Sequence, residues 1–531
     1  MKSRRSSGES NRRRTPQRLL VFLSPSTRPI LGALFAAAVA VPSATAEAQT
    51  WRIQSGVSAQ ETVTNNVNLQ PNDARQSDWV TEVTPSLRIS EKGARTSLSA
   101  FLSVPVVLYA RTGSENNNAY PSADVLGDIK LIDDWLHVEG QITVQQQFFN
   151  PFGGQPLGLD NATQNRVRSD TYRISPYVKG VTPGGTIKYE LRNNNVWSEV
   201  VGAPVSTSDF YYTQFTGHAS NTQSTIGWQA DFETTDLTVK DASTFRSRIA
   251  RFIPLYDVDP QLRLKAEIGY EENNFPPQGS HDAVYGAGFE WRPTLRTTVT
   301  GLWEHRFFGG AYQFSFDHRT ALTVWKVSLS RNITTTPQQL ANLPAGGDVS
   351  ALLNGLFLAT IPDPIERQQA IDQFIRDRGL PSMLSGGLNL YSQQILLQES
   401  QTGSVGLLGT RNSVILTIFN IRSEPIGASG DLLTPLLSIN EANRQTGVSL
   451  LWSYKLTPSV VFDATLERFR TVAIAPQEAK SNQTALRLVV STPLSAKTTL
   501  FAGARYQTLN SDIPSDYNEA AAFVGVNYTF R

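Results

Sequence analysis

The sequence predicts a large transmembrane antiparallel up-and-down β-barrel of about 22 strands, within a range of about 16 to 24, with one helix in a long extracellular loop. Three observations predict it. Segments of about ten residues alternate apolar and polar positions along most of the chain. No apolar run long enough for a membrane helix follows the N-terminal region. Connections between segments alternate short and long, as they do in a barrel whose two termini lie on one side.

Composition narrows the alternatives. A chain of 531 residues would ordinarily form several soluble domains, yet no linker interrupts it. Cysteine is absent, which removes disulfide frameworks and thiolate metal sites.

The chain opens with a targeting segment, residues 1–48. Eight basic residues from Lys2 to Arg28 precede an apolar stretch, Ile30 to Val41, and small residues follow at Ala44-Thr45-Ala46 and Ala46-Glu47-Ala48. This is the layout of a cleaved signal peptide, and the apolar stretch is too short to anchor a helix across a bilayer. Of 47 basic and 46 acidic residues, cleavage after Ala48 leaves 39 and 44, a net charge of −5. Mild acidity argues against nucleic acid as a partner.

Residues 49–531 carry the barrel pattern. Leu262, Leu264, Ala266, Ile268 and Tyr270 share one face, opposite Arg263, Lys265, Glu267, Gly269 and Glu271. The same grammar returns at Leu136 to Gln145, Ala283 to Trp291, Val299 to Arg306, Thr323 to Ser330, Val448 to Tyr454, Leu486 to Val490 and Ala502 to Gln507. Charged members of the polar faces are candidate lumen residues: Glu139, Arg263, Lys265, Glu267, Glu304, Arg306, Lys326, Asp463, Glu467, Arg487 and Arg505. They either pair across the interior or form a polar track for a solute, and pattern alone does not separate these readings. Pro85, Pro105, Pro176 and Pro254 fall inside strands, where each is expected to mark a bulge or a strand end. A soluble plug ahead of the first strand is not expected, since alternation begins within a few residues of Trp51.

One insertion, residues 333–388, breaks the alternation. Asp363-Pro364-Ile365-Glu366 supplies an N-cap, a proline at the first helical position and a capping-box glutamate, so a helix is expected over 364–378. Its apolar members Ile371, Phe374 and Ile375 need a surface to cover. Two readings stand: a lid or inward-folded constriction of the barrel mouth, or a helix packed on neighbouring loops.

Catalytic and metal signatures are weak. The five histidines stand singly, without metal-ligand spacing, and no cofactor motif is present. His218-Ala219-Ser220-Asn221 resembles the His-x-Ser-Asn stretch of outer-membrane phospholipase A, whose histidine and serine face the bilayer. Thr222 stands where that family has glycine, and the stretch is read as a strand end and turn rather than an esterase, so an enzyme is not expected.

Two further resemblances suggest a location and a role. The last strand places Ala522, Val524, Val526, Tyr528 and Phe530 on one face, and Val526, Tyr528 and Phe530 resemble the C-terminal signal that the barrel-assembly machinery reads on bacterial outer-membrane proteins. Arg531 departs from that pattern, which usually ends on the aromatic residue. Glu61 to Leu69, Ser77 to Pro85, Glu91 to Arg95, Arg306-Phe307-Phe308-Gly309, His318-Arg319-Thr320, Thr334 to Leu340 and the loop helix beginning Asp363-Pro364 resemble a family of outer-membrane barrels associated with the PEP-CTERM and exosortase system. The resemblance implies an outer-membrane location in a Gram-negative cell and a role beside exopolysaccharide export, with polysaccharide and periplasmic export components as partners. A general or substrate-specific porin and a sealed adhesin or scaffold are the other expected classes.

Overall fold

The structure, a computed structural model, describes residues 50–530 apart from 202–208, 222–224, 240–243, 276–278, 427–441, 475–478, 513–515 and most of 336–394. The targeting segment and Ile375 therefore lie outside the described residues.

A single antiparallel sheet contains 24 hydrogen-bonded segments. Thr96–Ser103 continues as Val106–Tyr109, both pairing with Asp78–Lys92, and Asn118–Ala119 continues as Ser122–Ile132 beside them. Two wall strands are thus each broken once, and the wall has 22 strands. The first strand, Thr50–Thr64, pairs with the last, Tyr517–Thr529, in a ladder from Gly56↔Thr529 to Thr64↔Ala521. This pairing closes the barrel and leaves no free edge in the wall, the condition for a sheet to sit in hydrocarbon.

Side-chain alternation sets the two surfaces. Outward positions include Trp79, Ile268, Tyr285, Trp303, Ile418 and Val524, all large apolar residues exposed by about half. Their inward neighbours are polar and buried, such as Glu267, Glu271, Glu304, Gln483, Arg505 and Glu519. Apolar side chains outside and charges inside invert a soluble protein and match a membrane barrel. Exposed Trp51, Trp135, Trp291, Trp325 and Trp452 sit near the strand ends on the terminus side, where interfacial aromatics are expected.

Most connections follow the expected alternation. Turns on the terminus side are short, while the other end carries the segments 65–77, 149–165, 335–395 and 426–442. At that loop end, however, Thr297–Arg306 and Gly309–Arg319 are joined by Phe307-Phe308 alone, with Gly309 at φ +94°. A residue with a Cβ is strained there.

The prolines correct one expectation. Pro105 does lie at a strand break. At Pro176 and Pro254, by contrast, the ladder skips two pairs and resumes in the same register, from Ile174↔Asn195 to Tyr177↔Arg192 and from Phe252↔Ile268 to Leu255↔Lys265. Neither is a bulge or a strand end. Proline lacks one donor and bonds normally on its other side, so an otherwise long ladder tolerates a local gap. Pro85 lies within Asp78–Lys92, opposite the break at Val104-Pro105. The register shifts that do occur lie beside the terminus-side turns, at Lys130/Ile132, Trp291/Thr294 and Pro493/Ser495.

Candidate functional site

The lumen is the site, and two loop-end segments enter it. The first, residues 149–165, is rich in glycine and apolar residues, Pro151-Phe152-Gly153-Gly154-Gln155-Pro156-Leu157-Gly158-Leu159. Phe152, Gln155, Asp160 and Asn161 are each at most 3% exposed. The segment leaves the wall after Leu136–Phe148 and reaches inward to strands hundreds of residues away. Gln155 exchanges hydrogen bonds with Gln483, its N–H donating at 3.0 Å and its carbonyl accepting at 2.6 Å. Gln507 donates to Asn161 at 2.9 Å, and Asn161 donates to Glu519 at 3.4 Å. Leu159 and Ala162 pack on Val67, Val80, Val107 and Tyr109.

Its centre is a buried charge triad. Arg505 donates to Asp160 at 2.7 Å and to both oxygens of Glu519 at 2.8 and 3.2 Å, and all three residues are at most 4% exposed. Burial pushes the Asp160 carboxyl up, but the Arg505 charge and hydrogen bonds outweigh it and hold the group below its ordinary 3.8. Two glycines permit the approach. A Cβ on Gly158 would fall 2.7 Å from the Arg505 guanidinium, and one on Gly154 would fall 2.8 Å from the Tyr517 ring.

The described residues of the second segment, 335–395, lie much further down the lumen. Glu366, Arg367, Gln368, Ala370, Ile371 and Phe374 are helical, within the expected 364–378, and Ser350, Leu353, Asn354 and Phe357 are helical in addition. Ile371 and Leu353 are at most 2% exposed and share an apolar cluster with Ile415 and Leu451, flanked by Val324, Phe357, Phe374 and Leu408. Ile415, Val324, Leu408 and Leu451 all lie near the terminus-side ends of their strands. Glu366 comes within 3.9 Å of Arg52, also near that end. The described residues of the segment therefore reach the terminus-side half of the lumen, with Ile371 and Phe374 inside the barrel.

All eleven charged candidates sit on the inward face, and most are paired. Arg251, which the sequence reading passed over, joins Glu267 at 2.5 Å and Glu304 at 3.1 Å, and Arg306 joins Glu304 at 3.1 Å and Glu271 at 2.7 Å. Glu139 pairs with Arg173 at 2.6 Å, Arg263 with Asp257 at 2.5 Å and Lys265 with Glu290 at 3.7 Å. Asp463 and Glu467 are 2% exposed. Arg487 lies over the Phe523 ring at 4.8 Å. Lys326 is exposed to the lumen, opposite Asp317. Among the described residues the lumen holds a cavity of 360 Å³ beside Arg88, Arg487 and Asp160 and another of 540 Å³ beside Arg251, Glu267 and Gln338.

One feature runs against expectation. Toward the loop end the inward face turns apolar: Val167, Val196, Phe210, Tyr212 and Leu237 cluster with Phe275 and Ile395. Loop residues cover this patch and exclude water from it. The stretch from His218 to Asn221 closes the strand Phe210–Asn221, as expected of a strand end; His218 and Ser220 face the lumen, His218 bonds Asp231 at 2.7 Å, and among the described residues no hydrogen bond joins it to Ser220. His137 stacks on Tyr177 at 4.7 Å and His305 on Tyr285 at 5.0 Å. Among the described residues no cluster of metal-binding side chains occurs.

Val526, Tyr528 and Phe530 project outward from the closing strand, with Tyr528 and Phe530 in edge-to-face contact at 4.9 Å. The missed residues, Asp160 and Gly158, had one signal: an external loop so rich in apolar side chains and glycine needs a surface to pack on.

No family model and no curated protein matches the chain. Among solved structures it is similar to a mutant of the ferric enterobactin receptor PfeA from Pseudomonas aeruginosa, with 8% identity over 90% of this chain and 80% of that one, TM-score 0.44. It is also similar to the siderophore receptor PirA from Acinetobacter baumannii, with 10% identity, 90% and 80% coverage and TM-score 0.43. A BenF-like porin from Pseudomonas fluorescens Pf-5 aligns at 7% identity, 90% and 99% coverage and TM-score 0.34. At these TM-scores the likeness is loose, and the barrel stands on its own closed strand ladder.

Proposed function

We propose that the protein is an outer-membrane channel whose lumen is narrowed by two inserted loops, and that it serves exopolysaccharide export or envelope assembly. The observation that carries the channel reading is the closed wall with charged side chains inside and a lumen entered from one end by residues 149–165 and 335–395. A polar interior suits a hydroxyl-rich solute, and inserted loops suit a passage that is closed at rest. The exopolysaccharide role rests on the resemblance of Glu61 to Arg95, and of the other quoted stretches, to barrels of the PEP-CTERM and exosortase system. Its partners under this reading are the assembly machinery, through Val526, Tyr528 and Phe530, and periplasmic export components.

A substrate-specific porin is the second reading, favoured by cavities of 360 and 540 Å³, which fit a small solute better than a polymer. Planar-bilayer recording decides between conduit and scaffold. The intact protein should show small, infrequent openings, and removal of Pro337 to Gly387 should raise the single-channel current. An unchanged current would defeat the constriction; no current from either form would leave a sealed scaffold. Loss of surface polysaccharide in a deletion strain, without loss of small-solute uptake, separates exporter from porin.

A further inference from the structure

The outer surface carries a feature that transport does not use. Across Asn412–Pro425, Asn443–Lys455, Val461–Ala473 and Lys480–Ser495 the outward residues form rows at successive heights. Leu416, Leu450, Leu466 and Leu486 stand side by side in one row. The next row toward the loop end is Ile418, Val448, Arg468 and Thr484, and the next Asn420, Thr446, Arg470 and Asn482. Above them lie Arg422, Arg444, Val472 and Lys480. Successive rows are about 7 Å apart, so the surface passes from hydrocarbon-compatible to cationic within the depth of a headgroup layer.

Among the described residues the charge in this patch is poorly neutralised by protein: the Asp512 carboxylate accepts from the Lys480 backbone N–H at 3.0 Å, not from its ammonium group. Arg422 bonds Glu424 at 2.6 Å. Arg444, Arg468, Arg470 and Lys480 are exposed, and among the described residues none has a carboxylate within ion-pair distance. Arg422 and Arg444 are directly opposed, an arrangement that destabilises a sheet unless an anion lies between or beside the pair. A second outward region at the same end is balanced: Arg246 pairs with Asp236 at 2.8 Å, and Arg248 lies opposite Glu272.

We infer that Arg444, Arg468, Arg470 and Lys480 seat the phosphate groups of a phosphorylated glycolipid in the loop-side leaflet. The chemistry fits: guanidinium groups bind phosphate oxygens in pairs, their stems cover apolar surface while the heads rise to the interface, and the leucine row meets the acyl chains. The inference rests on the outer-membrane reading, which puts the loop end in the outer leaflet.

The test is native mass spectrometry of the folded full-length protein in non-ionic detergent, titrated with diphosphorylated lipid A and, separately, its dephosphorylated form. The wild type should bind the phosphorylated form at least about tenfold more tightly, and the triple variant Arg444→Gln, Arg468→Gln, Arg470→Gln should lose most of that preference. Arg246→Gln with Arg248→Gln should leave it unchanged, and heat-modifiable gel mobility shows whether each variant is folded. Equal binding of the two lipid forms by the wild type, or an unaltered preference in the folded triple variant, would overturn the site. Competition by millimolar inorganic phosphate would overturn the lipid as its occupant. Density-gradient fractionation addresses the outer-membrane reading separately, since inner-membrane recovery would sink that reading while leaving any wild-type against variant difference in place.

Discussion

The two loops inside this barrel are held mainly by different means. Residues 149–165 are fastened between the loop end and mid-wall largely by charge and hydrogen bonds, with Arg505 between Asp160 and Glu519. Residues 335–395 are seated near the terminus end by apolar contact, with Leu353 and Ile371 against Ile415 and Leu451. A buried ion group is directional and costly to leave half-made, whereas apolar packing is insensitive to charge and tolerates sliding. The anchors of the first loop are thus sensitive to charge, and the apolar anchors of the second are not.

Removing Arg505 should have the largest effect. Arg505→Ala strands two buried carboxylates and is expected to lower stability by about 3–5 kcal/mol, read as a lower temperature of heat-modifiable unfolding. Conductance should rise as residues 149–165 come away; wild-type behaviour on both counts would show that the latch is ornamental. Ile371→Asp should come next, at about 2–4 kcal/mol against the docked position of the second loop. The wall should be spared, so the expected signature is a raised open probability with unchanged barrel melting. Barrel unfolding would instead mean that the loop supports the wall.

Acid should distinguish the loops further. Asp160 has a depressed pKa in the folded protein, so its contribution to the latch is fully present above the ordinary value of 3.8 and is lost as pH falls through the lower folded value. Current should therefore increase only in acid below about pH 3.8, and Asp160→Asn should abolish that acid step, while Ile371→Asp retains it. The smallest effect is expected at Lys326, which is exposed to the lumen and outside both loop anchors. Lys326→Glu should move the reversal potential toward cation selectivity by a few millivolts, on the order of a screened surface charge, with stability unchanged.

The second loop was legible beforehand because a helix advertises itself locally. Asp363-Pro364-Ile365-Glu366 and the spacing of Ile371 and Phe374 lie within a dozen residues. The latch could not be read in that way. Arg505 was visible as an inward charge from strand alternation, but its partner Asp160 lies 345 residues away in a stretch with no strand or helix period. Arg251 was missed as the bridge between Glu267 and Glu304 because its strand contains Pro254 and alternates less cleanly. The prolines misled for a related reason: loss of one donor predicts a defect, whereas a ladder continued on both sides of Pro176 and Pro254 holds the register.

Alternation with a period of two determined, from the sequence by itself, which half of each strand faces lipid and which faces the lumen, since adjacent side chains must point to opposite sides of a pleated wall. Tertiary structure alone decided how full the lumen is and which charges meet inside it. Those outcomes depend on how far the closed ring brings Phe152 to Asp160 toward Gln483 and Arg505, and Ile371 toward Ile415. Such distances are set by closure between the first and last strands, a property of the whole ring that no local stretch of residues contains.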